Sequence, residues 1–135
     1  TARALNEEND NWSELASNYF MLASIASRRD NYAAARGYAL RALEYDKQAE
    51  NSPGIAGDLH ALGKISERQE HYSDAYQYYL RSLRVYLSLN RAAESLNVLE
   101  RLVPVAEQLG KTDEAAQFTA EQERIRDILT GEEAK

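Results

Sequence analysis

The stretch YAAARGYALRAL, residues 32–43, returns forty residues later as YSDAYQYYLRSL, residues 72–83. Tyr, Ala, Tyr, Leu, Arg and Leu occupy the same places in both copies. A third copy, TDEAAQFTAEQE at residues 112–123, has diverged further but keeps Ala115 and Phe118 in register. Three copies at a constant period of forty indicate that one structural unit is repeated along the chain.

The segment before each copy repeats as well. It reads ASNYFMLASIASRR at residues 16–29, AGDLHALGKISERQ at 56–69 and LNVLERLVPVAEQL at 96–109. Apolar residues in these segments recur at steps of three and four, which is typical of an amphipathic helix. The spacing therefore predicts two helices in each unit. We place the six helices near residues 11–29, 31–49, 53–69, 71–89, 91–109 and 112–129.

Turn-forming and small residues punctuate the predicted helices. Asn51 is expected to be an N-cap with Pro53 in the first turn, and Gly110 a helix C-cap. Thr112-Asp113 is the N-cap candidate for the last helix. Gly63 lies in mid-helix, where Gly costs about 1 kcal/mol relative to Ala. We interpret it as the place where units one and two approach each other closely.

The apolar and small residues of each unit form a pattern shared with a known family. The pattern comprises Tyr19, Leu22, Ala23, Tyr32, Ala35, Ala39 and Ala42 in unit one, Leu59, Leu62, Gly63, Tyr72, Ala75, Tyr79 and Ser82 in unit two, and Leu99, Leu102, Ala106 and Ala115 in unit three. On these residues, residues 12–129 resemble tetratricopeptide-repeat proteins. The family's usual period is about 34 residues, so this chain resembles an extended variant. The usual Pro that ends a unit is replaced by Lys47 and Leu87.

The resemblance implies an all-α fold, a right-handed α-α superhelix (solenoid) of three antiparallel helix pairs. One helix pair cannot bury its own apolar face, whereas stacked pairs share a continuous core. The expected organisation is an N-terminal segment at residues 1–11, a helical repeat domain at 12–129 and a C-terminal tail at 130–135. The repeat domain divides into units of about 12–50, 53–90 and 91–129.

Composition and motifs argue against several classes of function. The net charge of −6 argues against wholesale binding to nucleic-acid phosphates, and no apolar run is long enough to span a membrane. Cysteine is absent, which leaves the compartment open between the cytoplasm, slightly favoured, and the periplasm. His60 and His71 lie on different predicted helices and form no catalytic or metal-binding motif, so we expect no enzyme activity, metal or cofactor. Thr1 stands where Met would, so we expect a piece of a longer protein.

The resemblance also implies a binding groove. In this family the first helices of successive units line a concave surface that takes an extended peptide or a partner helix. Relatives that hold the C-terminal carboxylate of heat-shock chaperones use a set of Lys and Asn there, and only Arg101 of this chain fits that set. We therefore expect a different protein or peptide partner. The positions that carry over to the groove are Phe20, Ser24, Arg28, His60, Lys64, Glu67, Arg68, Asn97 and Arg101.

A positive ridge is predicted within the groove. His60, Lys64 and Arg68 are spaced by four residues and therefore share one helix face. Such a ridge would suit an acidic segment of a partner. The alternative is a solvated face whose charges pair with Glu67 and neighbouring carboxylates. Phe20 is expected to be an apolar anchor beside the ridge.

Two classes of function remain open. The first is a non-catalytic protein-interaction scaffold that binds its partner in the groove. The second is a self-assembly or oligomerisation module, or the sensor part of a larger regulatory protein. It is suggested by the first helix, where Trp12, Leu15, Leu22 and Ile25 make much of the circumference apolar. Residues 1–10, further repeats or a homodimer through this N-terminal face would have to cover it, and a concentration-dependent dimer would favour the second class.

Overall fold

The computed structural model describes the backbone of residues 2–131 and the side chains of residues 11–131. Consecutive helices pair as antiparallel neighbours, and each pair packs on the next, which confirms the all-α solenoid of helix pairs. Within residues 2–131 no helix is both long and apolar enough to cross a membrane. The helices are α1 (Ala2–Arg28), α2 (Tyr32–Gln48), α3 (Ser52–Arg68), α4 (Tyr72–Ser88), α5 (Ala92–Gln108) and α6 (Thr112–Thr130).

The turns recur at half the sequence period. Helices α2 to α6 begin 20 residues apart, and each turn between helices has one residue in the left-handed conformation. The following N–H donates to a carbonyl oxygen five positions back, as Asn31 does to Ala26 at 2.9 Å. This Schellman motif satisfies carbonyl groups at the end of each helix and turns the chain sharply. The left-handed residues are Asp30, Glu50, Glu70, Asn90 and Gly110.

The cap prediction is right for Asn51, and the predictions for Gly110 and Thr112-Asp113 each miss the cap by one residue. Asn51 is the N-cap of α3, and its side chain accepts a hydrogen bond from the Gly54 N–H at 3.3 Å. The C-cap of α5 is Leu109, and Gly110, which follows it, has a positive φ of 75°. The expectation that Thr112 caps the last helix is wrong, because Lys111 is the N-cap and Thr112 is already the first helical residue.

Two apolar clusters hold the helix pairs together. The first joins units one and two, and the second joins units two and three. Ala35, Ala75 and Ala115, which recur in the quoted lines, are all buried where helices pack closely. The largest members of the first cluster are Leu43, Leu59, Leu62 and Ile65, and those of the second are Tyr76, Tyr79, Leu83, Tyr86, Val98, Leu99, Leu102, Val105 and Ile125.

Equivalent residues differ in burial at the N-terminal unit. Leu62 is fully buried on α3, whereas Leu22, at the same place on α1, is 41% exposed. The same difference separates Ile65 from Ile25. Helix α3 packs against α1 and α2 of the preceding unit, but no helix of the described chain packs on the outer side of α1. The backbone of residues 2–10 continues α1, so of the three possible covers for this face, further repeats or a homodimer remain.

Gly63 allows a close contact between the two helices of unit two rather than a contact between units. A Cβ at this position would lie 2.5 Å from the Cδ1 and Cε1 atoms of the Tyr79 ring. Tyr79 is on α4, the partner of α3 in the same unit. The interpretation of Gly63 as the contact between units one and two is therefore wrong. Gly63 accommodates an aromatic ring where unit one has only Ala39 in register.

Candidate functional site

A cavity of about 270 Å³ opens between the first helices of the three units. We call it the basic cavity, because Arg28, Lys64, Arg68 and Arg101 all line it. These four side chains come from α1, α3 and α5, which the repeat places next to one another on one face of the solenoid. The remaining lining residues are Phe20, Ala23, Ser24, Ser27, Ala61 and Ile65.

The structure brings most of the predicted groove residues together here. Three of the residues predicted for the groove do not line the cavity, namely His60, Glu67 and Asn97. Asn97 is exposed on α5. The predicted residues that do line it are Phe20, Ser24, Arg28, Lys64, Arg68 and Arg101.

Positive charge is concentrated in the basic cavity. Burial lowers the pKa of Lys64, and the nearby charges of Arg101 and Arg68 lower it further. The Tyr32 hydroxyl near Arg68 raises the pKa of Arg68. Among the described side chains that line the cavity, none is a carboxylate. The cavity therefore presents cationic donors without an internal anion to neutralise them.

His60 does not contribute charge to the predicted ridge. Its imidazole is half-buried, with its centroid 5.8 Å from that of the Tyr79 ring in an edge-on arrangement, and its Nε2 atom has no hydrogen-bond partner. Burial, followed by the charges of Lys64 and Arg101, lowers the pKa of His60 to about 4. The imidazole is therefore neutral near pH 7. The positive surface consists of Lys64 and Arg68 together with arginines from the other two units.

Glu67 connects the two helices of unit two. The Tyr79 hydroxyl donates a 2.7 Å hydrogen bond to Glu67 Oε1. Burial and this bond raise the pKa of Tyr79, while the neighbouring Arg101 guanidinium opposes the rise. Glu67 therefore holds the ring of Tyr79 in place, rather than facing a ligand in the basic cavity.

A second cavity of about 250 Å³ lies next to the first along α1 and α3, and Phe20 lines both. We call it the acidic cavity, because two buried carboxyl groups line it. Asp46 on α2 is 4% exposed and Asp58 on α3 is 1% exposed. Asn51 Nδ2 donates a 3.1 Å hydrogen bond to Asp46 Oδ1. The other lining residues are Ala16, Ser17, Gly54 and Gly57.

Neither aspartate is among the residues predicted for the groove, although the repeat register contains a signal for them. Forty residues after Asp58 stands Val98, and forty residues after Asp46 stands Tyr86. Val98 and Tyr86 are buried between units two and three. Aspartates at positions that a neighbouring unit fills with core residues are unusual enough to mark a site, because buried carboxyl groups are costly to desolvate.

The two carboxyl groups interact with each other. Burial raises the pKa of Asp58 to about 9, and its hydrogen bond with Asp46 and the charge of Asp46 add to this rise. Asp58 is therefore protonated near pH 7 and can share its proton with Asp46. The Tyr86 hydroxyl faces the same carboxyl group from α4, and its own pKa is raised mainly by burial.

Replacing Asp58 with asparagine is expected to stabilise the protein relative to the parent as the pH rises. The folded chain keeps the Asp58 proton up to about pH 9, whereas the unfolded chain loses it near the ordinary value of 3.8. The free energy of unfolding of the parent therefore falls between these two values, and asparagine removes that loss. Urea unfolding at about pH 5, 7 and 8.5 should show the difference growing, by at most about 1.4 kcal/mol per pH unit.

His60→Gln provides a comparison of opposite sign. The folded-state pKa of His60 lies below its ordinary value of 6.5, so the parent loses stability as the pH falls from 6.5 towards about 4. At acidic pH the free energy of unfolding of His60→Gln should therefore exceed that of the parent. At the same pH the stabilisation by Asp58→Asn should be smallest. A difference between Asp58→Asn and the parent that stays constant across the pH range would contradict the shared proton.

No protein-family model and no curated protein matches the sequence. Solved structures of other proteins share the fold. BtubC (BKLC) from P. vanneervenii aligns with a TM-score of 0.80 and 21% identity over 86% of this chain. Aspartyl phosphate phosphatase F from Bacillus subtilis aligns with a TM-score of 0.82 and 18% identity over 89% of this chain. A Rap protein complexed with Competence and Sporulation Factor aligns with a TM-score of 0.76 and 18% identity over 82% of this chain.

These similarities are similarities of fold. The chain spans 48%, 31% and 30% of the lengths of the three proteins, in the order given. The aligned parts share the arrangement of consecutive helix pairs seen here. The chemistry of the two cavities must therefore be argued from the residues of this chain.

Proposed function

We propose that this protein is a non-catalytic interaction scaffold of the tetratricopeptide-repeat type, which binds a peptide or partner helix along α1, α3 and α5. The observation that carries the proposal is the basic cavity, where cations from three helices converge beside the exposed ring of Phe20. Such a convergence in a chain with a net charge of −6 favours a role in recognising an acidic group. The fold shared with a Rap protein complexed with Competence and Sporulation Factor supports a role in binding a partner.

Carboxylates of the partner would be held by charge-assisted hydrogen bonds. Arginine guanidinium groups offer paired donors that match a carboxylate, and Lys64 adds a compact charge that is partly shielded from water. Phe20 would bury an apolar side chain of the same partner next to this polar contact. The overall negative charge of the chain would repel an acidic partner at long range, so the attraction acts locally and is screened by salt.

The absence of catalysis is part of the proposal. One structural neighbour is named a phosphatase, but that similarity extends to the fold alone. Among the described residues, no group of three or more His, Asp or Glu side chains could hold a metal ion. His60, the imidazole nearest the basic cavity, is edge-packed on Tyr79 rather than poised against a nucleophile.

Charge reversal in the basic cavity tests the proposal. The probe is a library of random hexapeptides with acetylated and amidated ends, so that side chains supply every charge. The parent should select peptides rich in Asp and Glu, and Lys64→Glu combined with Arg68→Glu should reduce that binding at least tenfold, or about 1.4 kcal/mol. Binding to the parent should weaken as salt is raised. Phe20→Ala should weaken binding without changing the salt dependence.

Lys47→Glu combined with Arg84→Glu is the matched control. Both residues are exposed, lie on α2 and α4, and change the net charge by the same amount. The control and the cavity variant should both unfold within about 1 kcal/mol of the parent, as surface changes usually do. Acidic peptides that bind the cavity variant as tightly as the control would place the binding site elsewhere.

A second candidate is self-assembly through the outer face of α1, alone or as part of a larger regulatory protein. The observation that favours it is the exposure of Leu15, Met21, Leu22 and Ile25 on that helix. A contiguous apolar face of this kind is typical of an interaction surface. A homodimer through this N-terminal face would cover these side chains without occupying the basic cavity.

A further inference from the structure

The acidic cavity contains a polar atom that lacks a partner. Asp58 is 1% exposed, and its Oδ2 atom has no hydrogen-bond partner although the side chain lines the cavity. Buried carboxyl oxygens are nearly always satisfied, because an unpaired one loses its hydration without compensation. The carboxyl group of Asp46 beside it is held in place by Asn51. Two buried carboxyl groups therefore line the cavity, and none of the described ion pairs includes either of them.

The fold does not require carboxyl groups at this position. Between units two and three, the same register is filled by Val98 and Tyr86, which pack in the core. Between units one and two, Gly54 leaves the space that the aspartates use, since a Cβ there would lie 2.6 Å from the Asp46 carboxyl group. The local sequence is therefore adapted to hold a carboxyl pair at the junction of units one and two, whereas an apolar contact suffices at the junction of units two and three.

We propose that the acidic cavity is a subsite for the positively charged group of a bound peptide: a lysine ammonium, an arginine guanidinium or an N-terminal amine. Each of these cations carries several N–H donors that suit the carboxyl groups of Asp58 and Asp46. The ring of Phe20 lines the same cavity and can contact the cation or the aliphatic chain that bears it. The inference rests on the proposed peptide-binding function and specifies the chemistry of the peptide.

Binding of the cation is coupled to release of a proton. The neutral Asp58 carboxyl group loses its proton to solvent as the cation enters, and the resulting carboxylate pairs with the cation. The titratable groups facing Asp58 are Asp46 from α2 and the Tyr86 hydroxyl from α4. Because a proton must leave, affinity for the cationic group should rise with pH below about pH 9.

The positions of the two cavities define a spacing within the peptide. On α3, Gly57 lines the acidic cavity and Lys64 the basic cavity, and seven residues of helix span about 10 Å. An extended peptide covers about 3.3–3.6 Å per residue, so the two cavities are about three residues apart along it. The expected peptide therefore carries a basic group and an acidic group about three positions apart, with an apolar contact to Phe20 between them.

The same hexapeptide library tests this inference separately from the proposed function. In the parent, selected peptides should pair Lys or Arg with Asp or Glu about three positions away. Asp58→Asn should reduce binding of such peptides at least tenfold and remove the preference for Lys or Arg, while the preference for Asp or Glu remains. Asp74→Asn, which neutralises an exposed aspartate on α4, is the matched control and should leave both preferences unchanged.

The outcomes separate the two proposals. A parent that selects Asp and Glu without any preference for Lys or Arg overturns the cation subsite and leaves the basic cavity intact. A parent that selects neither charge overturns both. If the parent selects Lys or Arg and Asp58→Asn abolishes that selection, the subsite is supported even when acidic residues are not selected. That result would count against the proposed function alone.

Two further arms complete the test. A second library with free N-terminal amines identifies the source of the cation. If the terminal amine is the ligand, the free-amine library binds more tightly and Lys or Arg at internal positions becomes unnecessary.

If Asp58→Asn does not fold, the parent itself is compared at about pH 6 and pH 8.5, where the preference for the cation should increase at least tenfold with pH. A preference that does not change with pH overturns the coupled proton release and with it the proposed role of Asp58.

Discussion

Replacing Gly63 with alanine is expected to destabilise this protein, although alanine is the better helix former. The added Cβ would lie 2.5 Å from two atoms of the Tyr79 ring, which is much closer than van der Waals contact. The ring cannot retreat, because it is fully buried and its hydroxyl is bound to Glu67. Overpacking of this kind costs about 1–3 kcal/mol, more than the helix propensity that alanine restores.

Removing the ring of Tyr79 should reverse the sign of the effect of Gly63→Ala on stability. Tyr79→Ala leaves a cavity and should cost about 3–5 kcal/mol by itself. In the Tyr79→Ala background, Gly63→Ala should be neutral or stabilising by up to about 1 kcal/mol, because the clash is gone and the helix gains alanine. The double variant has the alanines that unit one carries in register, Ala23 and Ala39. Urea unfolding of the four proteins gives the coupling energy directly.

Gly37→Ala is the control for Gly63→Ala. Gly37 is an exposed helical residue on α2, and an added Cβ there would meet no atom within 4 Å. Alanine at this position should therefore stabilise the protein by about 0.5–1 kcal/mol. Equal effects of alanine at Gly63 and Gly37 would refute the contact with Tyr79.

A matched pair of leucines tests the stacking of units. Leu62→Ala should lower the free energy of unfolding by about 2–5 kcal/mol, because the leucine is fully buried and its removal leaves a cavity between units. Leu22→Ala removes the same atoms from the same register, but Leu22 is 41% exposed on the outer face of α1. Its loss should cost far less, within about 1 kcal/mol.

The comparison should be made on dilute protein by urea unfolding, with the solution mass measured in parallel. In a monomer, the difference between the two leucines measures the contribution of the neighbouring unit. Similar losses at both positions in a monomer would contradict the exposure of the outer face. Similar losses that grow with protein concentration would instead show that a second copy covers Leu22.

The sequence alone determined the architecture, because a repeated unit leaves a periodic pattern in a single chain. Apolar spacing of three and four residues predicts helices, and a period of forty predicts identical helix pairs. Once the register is known, the first helices of successive units are neighbours. The resemblance to tetratricopeptide-repeat proteins implied that Phe20, Lys64 and Arg101, which are far apart in sequence, share one groove, and they line one cavity.

Tertiary structure alone decided how deeply each side chain is buried and which atoms it meets. Leu22 and Leu62 are equivalent in sequence, yet within the described chain only Leu62 has a preceding unit packed against its helix. His60 shares the spacing of Lys64, but burial and the charges of Lys64 and Arg101 lower its pKa and keep it neutral. Asp46 and Asp58 are twelve positions apart and meet only because α2 packs on α3. Periodicity reports which face of a helix a residue occupies, whereas pKa values, clashes and unpartnered oxygens depend on the neighbouring helices that cover that face.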